Sequence, residues 1–170
     1  MNTWMATDPL IELPTADDFH ALLAREELRR ARTGETLTIA MLDVDGLRWV
    51  NAQHGAGAGS DVLRLCVSTL RASLRAVDEL ARTGPDEFGV LLHATDSRNA
   101  GMWAERFEDE LQAVSFEMDA GPVTCSVGLA DTSSGITLME TFTRAHRRME
   151  VIQTVRKLRR TRGGDARGPG

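Results

Sequence analysis

Two acidic runs set into apolar strand patterns constrain this chain more than any other feature. The first, Asp43-Val44-Asp45, closes Leu37-Thr38-Ile39-Ala40-Met41-Leu42, a charge-free run of the kind that forms a strand buried on both faces. The second, Gly84-Pro85-Asp86-Glu87-Phe88, divides two short strand-like runs between Arg82 and Leu92 and reads as a tight hairpin. Carboxylates at a strand end and at a hairpin tip are natural ligands for one shared divalent cation. Taken singly, each run has a plainer reading: Asp43 and Asp45 as helix caps, Asp86 as a solvated turn residue.

The surrounding pattern predicts one domain. A chain of 170 residues is long enough to bury its own core without a disulfide or metal staple. A helix from about Thr15 to Arg32 carries Phe19, Leu22, Leu23 and Leu28 near one face, with Gly34 as its stop. A short helix around Leu47 to Gln53 leads into the Gly/Ala-rich stretch His54 to Ser60. Val62, Leu63, Cys66, Leu70 and Leu74 then mark another amphipathic helix. After the hairpin come a helix from about Ser97 to Val114, a strand around Val123 to Ala130 and a final helix from about Leu138 to Leu158. This order predicts an α+β fold, a palm-like central sheet, mainly antiparallel, flanked by helices. Residues 1–14 read as a lead-in segment, 15–160 as the domain and 161–170 as a disordered basic tail.

Composition narrows the setting. The net charge is −5, yet Arg144, Arg147, Arg148, Arg156, Lys157, Arg159, Arg160, Arg162 and Arg167 crowd the C-terminal end. Such a cluster suits phosphate, or is a solvated helix face running into a frayed end; nucleic-acid binding has charge alone in its favour and is not expected. Cys66 and Cys125 lack metal-ligand spacing and are expected to be buried thiols in a reducing, cytoplasmic compartment. No apolar run of about eighteen residues and no charged-then-apolar leader is present, so neither a membrane span nor a secretion signal is expected. His20, His54, His93 and His146 share no ligand spacing. Gly163-Gly164-Asp165 imitates the hairpin motif without its Glu-Phe or a strand around it, and is read as a decoy.

In order and spacing these motifs resemble the GGDEF family, from about Asp8 to about Lys157. Asp8, Leu10, Leu13, Pro14 and Phe19 match that family's opening Asp-x-Leu-Thr-Gly-Leu-Pro-Asn-Arg-Arg-x-Phe, with Ile11-Glu12 for Thr-Gly and Ala16-Asp17 for the Arg pair. Leu42-Asp43-Val44-Asp45 matches Leu-Asp-Ile-Asp, and Val50-Asn51 matches Ile-Asn. Gly84 to Phe88 matches the name motif with Pro85 for its second Gly. The resemblance implies a bacterial second-messenger enzyme, a diguanylate cyclase that condenses two GTP into cyclic di-GMP across a homodimer with Mg²⁺ or Mn²⁺. It also implies roles for individual residues. Asp43, the Val44 carbonyl and Asp86 would hold the metal. Asp86 would also be the base, with Glu87 a neighbouring acidic contact. Leu47, Arg48, Asn51, Ser60, Gly84 and Lys157 would contact the nucleotide. Arg75-Ala76-Val77-Asp78 matches the family's Arg-x-x-Asp inhibitory motif and, with Arg106, would bind cyclic di-GMP; as residues alone, Arg75 and Asp78 read as a surface ion pair.

Departures from the family pattern open a second reading. Ser60 stands where the family has a guanine-contacting Asp. A hydroxyl can donate or accept, so adenine is tolerated better, as in the promiscuous branch that also uses ATP and makes cyclic GMP-AMP. Alternatively Ser60 caps a helix beginning at Asp61. Leu47 replaces a Phe, Arg48 a Lys and Ala56 a His; Gln153 replaces a phosphate-binding Lys, and Lys157 its partner Arg. Pro85 removes an N–H from a turn expected to be type II′, with positive φ at Gly84. The chain is thus expected to be a slow cyclase, or else a catalytically inactive cyclic di-GMP receptor that signals through a protein partner.

Overall fold

The computed structural model describes residues 12–164. Helix α1 (Ala16–Thr33) starts where Thr15 and Asp18 satisfy each other's backbone N–H groups in a capping box, and stops at Gly34, whose φ of 68° suits a left-handed cap. Strand β1 (Thr38–Val44) is buried along its whole length, as its charge-free composition predicts. Then follow α2 (Leu47–Ser73), β2 (Glu79–Arg82), β3 (Glu87–Leu92), α3 (Ser97–Ser115), β4 (Cys125–Asp131) and α4 (Leu138–Gly164).

The four strands form one sheet in the order β2-β3-β1-β4, with every pair antiparallel. The two faces of the sheet bury different helices because side chains alternate along each strand. Ala40, Leu42, Val44, Phe88 and Val90 pack with Val62, Cys66 and Leu70 of α2 and Phe107 and Leu111 of α3. Ile39, Met41 and Leu91 pack with Phe19 and Leu23 of α1 and Leu138, Ala145 and Met149 of α4. The fold is therefore α+β, with the sheet sandwiched between two helical layers. Cys66 and Cys125 are buried and free, their sulfurs 3.7 Å apart. Among the described residues no helix is long and apolar enough to cross a membrane.

Two boundaries differ from expectation. The short helix and the helix drawn from Asp61 are a single element broken only at Gly55, where φ 85° and ψ 165° leave helical space. The chain re-enters the helix at once, because alanine-containing Ala56–Ser60 has no reason to stay extended once a glycine has supplied the break. Ser60 consequently lies inside α2 and caps nothing. At the other end α4 runs to Gly164, four residues into the stretch read as a disordered tail. Arginine is a good helix former, and the Gly163-Gly164 pair is the first composition able to stop the run. Residues 165–170 lie outside the described residues, as do Asp8, Leu10 and Ile11 of the opening motif.

Helix α4 crosses β4 at glycine. A Cβ on Gly128 would lie 2.1 Å from the Ala145 carbonyl oxygen and 2.3 Å from the Met149 nitrogen, both main-chain atoms that cannot swing aside. Gly128→Ala is therefore expected to destabilise the domain by about 3 kcal/mol, the upper end of an overpacking penalty, read as a lowered urea midpoint.

Candidate active site

Strand β1 carries Asp43 to the rim of the sheet on the side facing α4. Only 8% of this residue is exposed, and its pKa is raised to about 6. Burial is the main cause, followed by the charge of Asp86; a hydrogen bond from Gln153 opposes them, Asp45 adds to the rise and Lys157 counters it. The backbone brings the two acidic runs together. The Val44 N–H donates to the Asp86 carbonyl oxygen at 2.9 Å, extending the β1–β3 ladder by one residue and fixing the hairpin tip beside β1. Asp43, Val44 and Asp86 thus converge, as the sequence implied.

Asp45 has a different fate. Its carboxylate accepts from Thr124 Oγ1 at 2.8 Å, Ser126 Oγ at 2.6 Å and Arg156 Nη1 at 2.9 Å. Arg156 also donates to the Cys125 carbonyl and, at 2.7 Å, to Glu108 of α3. These three bonds occupy most of the acceptor positions of Asp45, so this acid, with Arg156, ties α4, α3 and β4 to the end of β1. Arg156 does not project from the helix as one more solvated cation. Its role was invisible in sequence because the partners come from α3, β4 and the loop after β1.

The hairpin corrects one expectation. Gly84 is not among the glycines with positive φ, so the turn is not type II′. Both the Thr83 and Gly84 N–H groups bond to the Glu87 carbonyl, at 2.9 and 3.2 Å. A loop of that length reverses the chain without a left-handed residue. The Arg82 guanidinium holds it by donating to the carbonyls of Gly84 and Pro85. Pro85 fits because no loop hydrogen bond calls on its missing N–H. Glu87 points toward α4, accepting from Thr83 Oγ1 at 2.8 Å and lying 3.2 Å from His146 Nε2. His146, read from sequence as a scattered histidine, therefore belongs to the wall of the site.

The expected base-contacting residues sit on the two halves of α2. Asn51 is exposed and Ser60 half-buried. The break at Gly55 folds the first half back, so that a Cβ on Gly59 would lie 1.8 Å from Asn51 Oδ1. The Asn51 side chain thereby lies against Gly59, the residue before Ser60 and a glycine that sequence reading passed over. Leu47 is buried at the start of α2 and Arg48 is exposed. On another side of this helix start, Gly46, Trp49, Val50 and Val62 face Ala120–Val123 across a cleft of about 450 Å³.

A second cleft, of about 230 Å³, lies at the Leu92 end of β3, away from the hairpin tip, and is lined by Arg75, Asp78, Thr95, Asn99, Trp103 and Arg106 among others. Arg75 makes a bidentate pair with Asp78, at 3.0 and 2.9 Å, and donates to the His93 carbonyl and Thr95 Oγ1. The Asp78 side chain is almost wholly buried and also accepts from the N–H groups of Arg75 and His93, so its pKa is lowered despite its burial. All three residues expected to bind cyclic di-GMP line this cleft. Arg75 and Arg106 are exposed, whereas Asp78 serves to fix the Arg75 fork.

The donor set at the end of β1 suits a divalent cation of the Mg²⁺ kind. Among the described residues no three His, Cys, Asp or Glu side chains form a ready-made cage. Mg²⁺ does not need one, since it commonly takes one or two carboxylates and completes its shell with water and substrate phosphate. A buried acid whose pKa is raised partly by a second acid is a place where a cation lowers the energy.

A palm-like antiparallel sheet with paired acids at the end of an inner strand is the class of domain that fold and site define together. The sequence matches the family model described as Diguanylate cyclase, GGDEF domain, over residues 5–157, and the chain belongs to that family. It is 38% identical over 125 residues to the diguanylate cyclase DgcP of Pseudomonas aeruginosa, an alignment covering 72% of this chain and 19% of that protein. The crystal structure of the diguanylate cyclase SiaD in complex with its activator SiaC, also from Pseudomonas aeruginosa, superimposes with a TM-score of 0.77 at 31% identity, over 87% of this chain and 58% of SiaD. The GGDEF domain of DgcB from Caulobacter crescentus, crystallised with c-di-GMP, shares the fold with a TM-score of 0.77 over 86% of this chain and 89% of that one, at 24% identity. The chain spans only a part of the length of DgcP and of SiaD.

Proposed function

We propose that this domain is a diguanylate cyclase that joins two GTP molecules into cyclic di-GMP, each GTP held on one subunit of a homodimer. The observation that carries this reading is the convergence of Asp43, the Val44 carbonyl and Asp86, pinned by the Val44 to Asp86 hydrogen bond. Those groups would hold Mg²⁺ or Mn²⁺, which would neutralise triphosphate charge and lower the pKa of the attacking 3′-hydroxyl. Asp86, half-buried at the hairpin tip, would take the proton from that hydroxyl. Lys157, whose charge is felt at Asp43, would meet phosphate, and Gln153 would steady Asp43 through its hydrogen bond in place of a second cation. The domain has one phosphate cation fewer here than the family pattern and is expected to turn over slowly.

Base choice would rest on Asn51 and Ser60. Gly59→Ala is expected to push Asn51 aside and raise KM for GTP about tenfold, the cost of about one misplaced hydrogen bond. Its melting temperature should stay level or rise, because alanine is the better helix former and the atom displaced is the end of a flexible side chain.

A second reading, a cyclic di-GMP receptor, is favoured by the convergence of Arg75 and Arg106 on one cleft. Two guanidinium groups are well matched to the two phosphates of a cyclic dinucleotide. Arg75→Ala should weaken cyclic di-GMP binding about a hundredfold by calorimetry, the loss of charge-assisted bonds worth near 3 kcal/mol, while leaving initial turnover of GTP intact. Incubating the protein with GTP, ATP or both, with Mg²⁺ or Mn²⁺, and identifying products by mass spectrometry separates the readings. Cyclic di-GMP establishes the cyclase, and cyclic GMP-AMP shows relaxed base choice at Ser60. Binding of cyclic di-GMP without any product leaves the receptor.

A further inference from the structure

We propose that the groove between β4 and α4 docks an acidic amphipathic helix of a partner protein. The groove has a volume of about 470 Å³ and is lined by Val127, Leu129, Val151 and Ile152, with Arg147 and Arg148 on its border. Along α4 the apolar stripe continues as Val151, Val155 and Leu158, exposed by 63%, 42% and 59%. That i, i+4, i+7 spacing is the face a helix presents to another helix, not to water. Neither cleft described above includes any of these residues.

The occupant follows from the edge and from the charge. β4 is an edge strand, and its ladder to β1 uses the Thr124 carbonyl and the Thr132 N–H, so Cys125 and Leu129 direct their carbonyls outward. Arg156 donates to the first of these and Arg148 to the second. An added strand would have to displace both guanidinium groups, whereas a helix laid along α4 displaces neither. Arg144, Arg147, Arg148 and Arg159 are all exposed around the stripe. A second copy docked through the same face would set one arginine row against another, so the complementary surface is acidic.

The test uses the full chain and a synthetic helical peptide of about 20 residues with leucine at i, i+3, i+4 and i+7 and glutamate on its flanks. Fluorescence anisotropy is expected to show binding that weakens tenfold or more in Val151→Asp and in Arg147→Glu, and that fades with added salt. A peptide with lysine flanks should not bind. Both substitutions are at exposed positions outside the proposed cyclase machinery, so product formation from GTP should remain at the wild-type rate in each. Absence of acidic-peptide binding, or binding indifferent to Val151→Asp, overturns the proposal. So does co-sedimentation with phosphatidylserine–phosphatidylcholine vesicles that Val151→Asp abolishes, or self-association that Val151→Asp dissolves in the ultracentrifuge.

Discussion

Asp86→Ala is expected to lower cyclic di-GMP formation on the order of 10³-fold, because it removes the proposed metal ligand and the proposed base together. The protein itself should be almost unaffected. What Asp86 contributes to the fold is its main-chain carbonyl, which accepts from Val44 and survives the substitution. Binding of cyclic di-GMP in the cleft of Arg75 and Arg106 should also survive, since that cleft does not include the hairpin tip. The readout is mass-spectrometric product at fixed protein and GTP, alongside thermal melting and calorimetry. Product formation within a few-fold of wild type would sink the assignment of Asp86.

Asp43→Asn is expected to stabilise the domain near neutral pH while abolishing turnover. The carboxyl titrates near pH 6 in the folded chain against an ordinary value of 3.8, so the native state holds the proton more tightly than the unfolded one. Below pH 3.8 both states are protonated and the residue costs nothing. As pH rises through 6 the native state carries a buried charge, and stability falls by about 3 kcal/mol for a shift of about two units. Asparagine removes that charge, so the variant should match wild type near pH 4 and exceed it by up to about 3 kcal/mol at pH 7.5 in urea titrations. Millimolar Mg²⁺ should raise the wild-type midpoint at pH 7.5 and leave that of the variant unchanged. Equal stabilities at both pH values would refute the strain assigned to Asp43.

The elements of this domain were legible wherever composition made a local demand. A charge-free run had to be a doubly buried strand, and Gly34 had to close the helix that opens near Thr15. The antiparallel sheet and the meeting of Asp43 with Asp86 could be read because two motifs at strand ends need only a register to join them. What stayed hidden depended on partners distant in sequence. Arg156 looked like one basic residue among nine, and its fixed place comes from Asp45, Glu108 and the Cys125 carbonyl. Gly59 passed as one glycine of a Gly/Ala-rich stretch between helices, and its meaning lies in Asn51 lying across it. The hairpin was misjudged for a local reason: Gly-Pro favours a two-residue turn on paper, but the Thr83 and Gly84 N–H groups close a longer loop on Glu87.

The break at Gly55 divides α2 into parts with unequal obligations. Beyond it, Val62, Cys66 and Leu70 are buried in the core, and a change there is paid in stability. Residues 51–57 are exposed throughout, so their side chains are under little packing constraint. On the proposed function, variation in that rim would alter the surroundings of Asn51 while the domain goes on folding as before. A single glycine thus lets one continuous element carry both an unconstrained rim and a segment bound to the core.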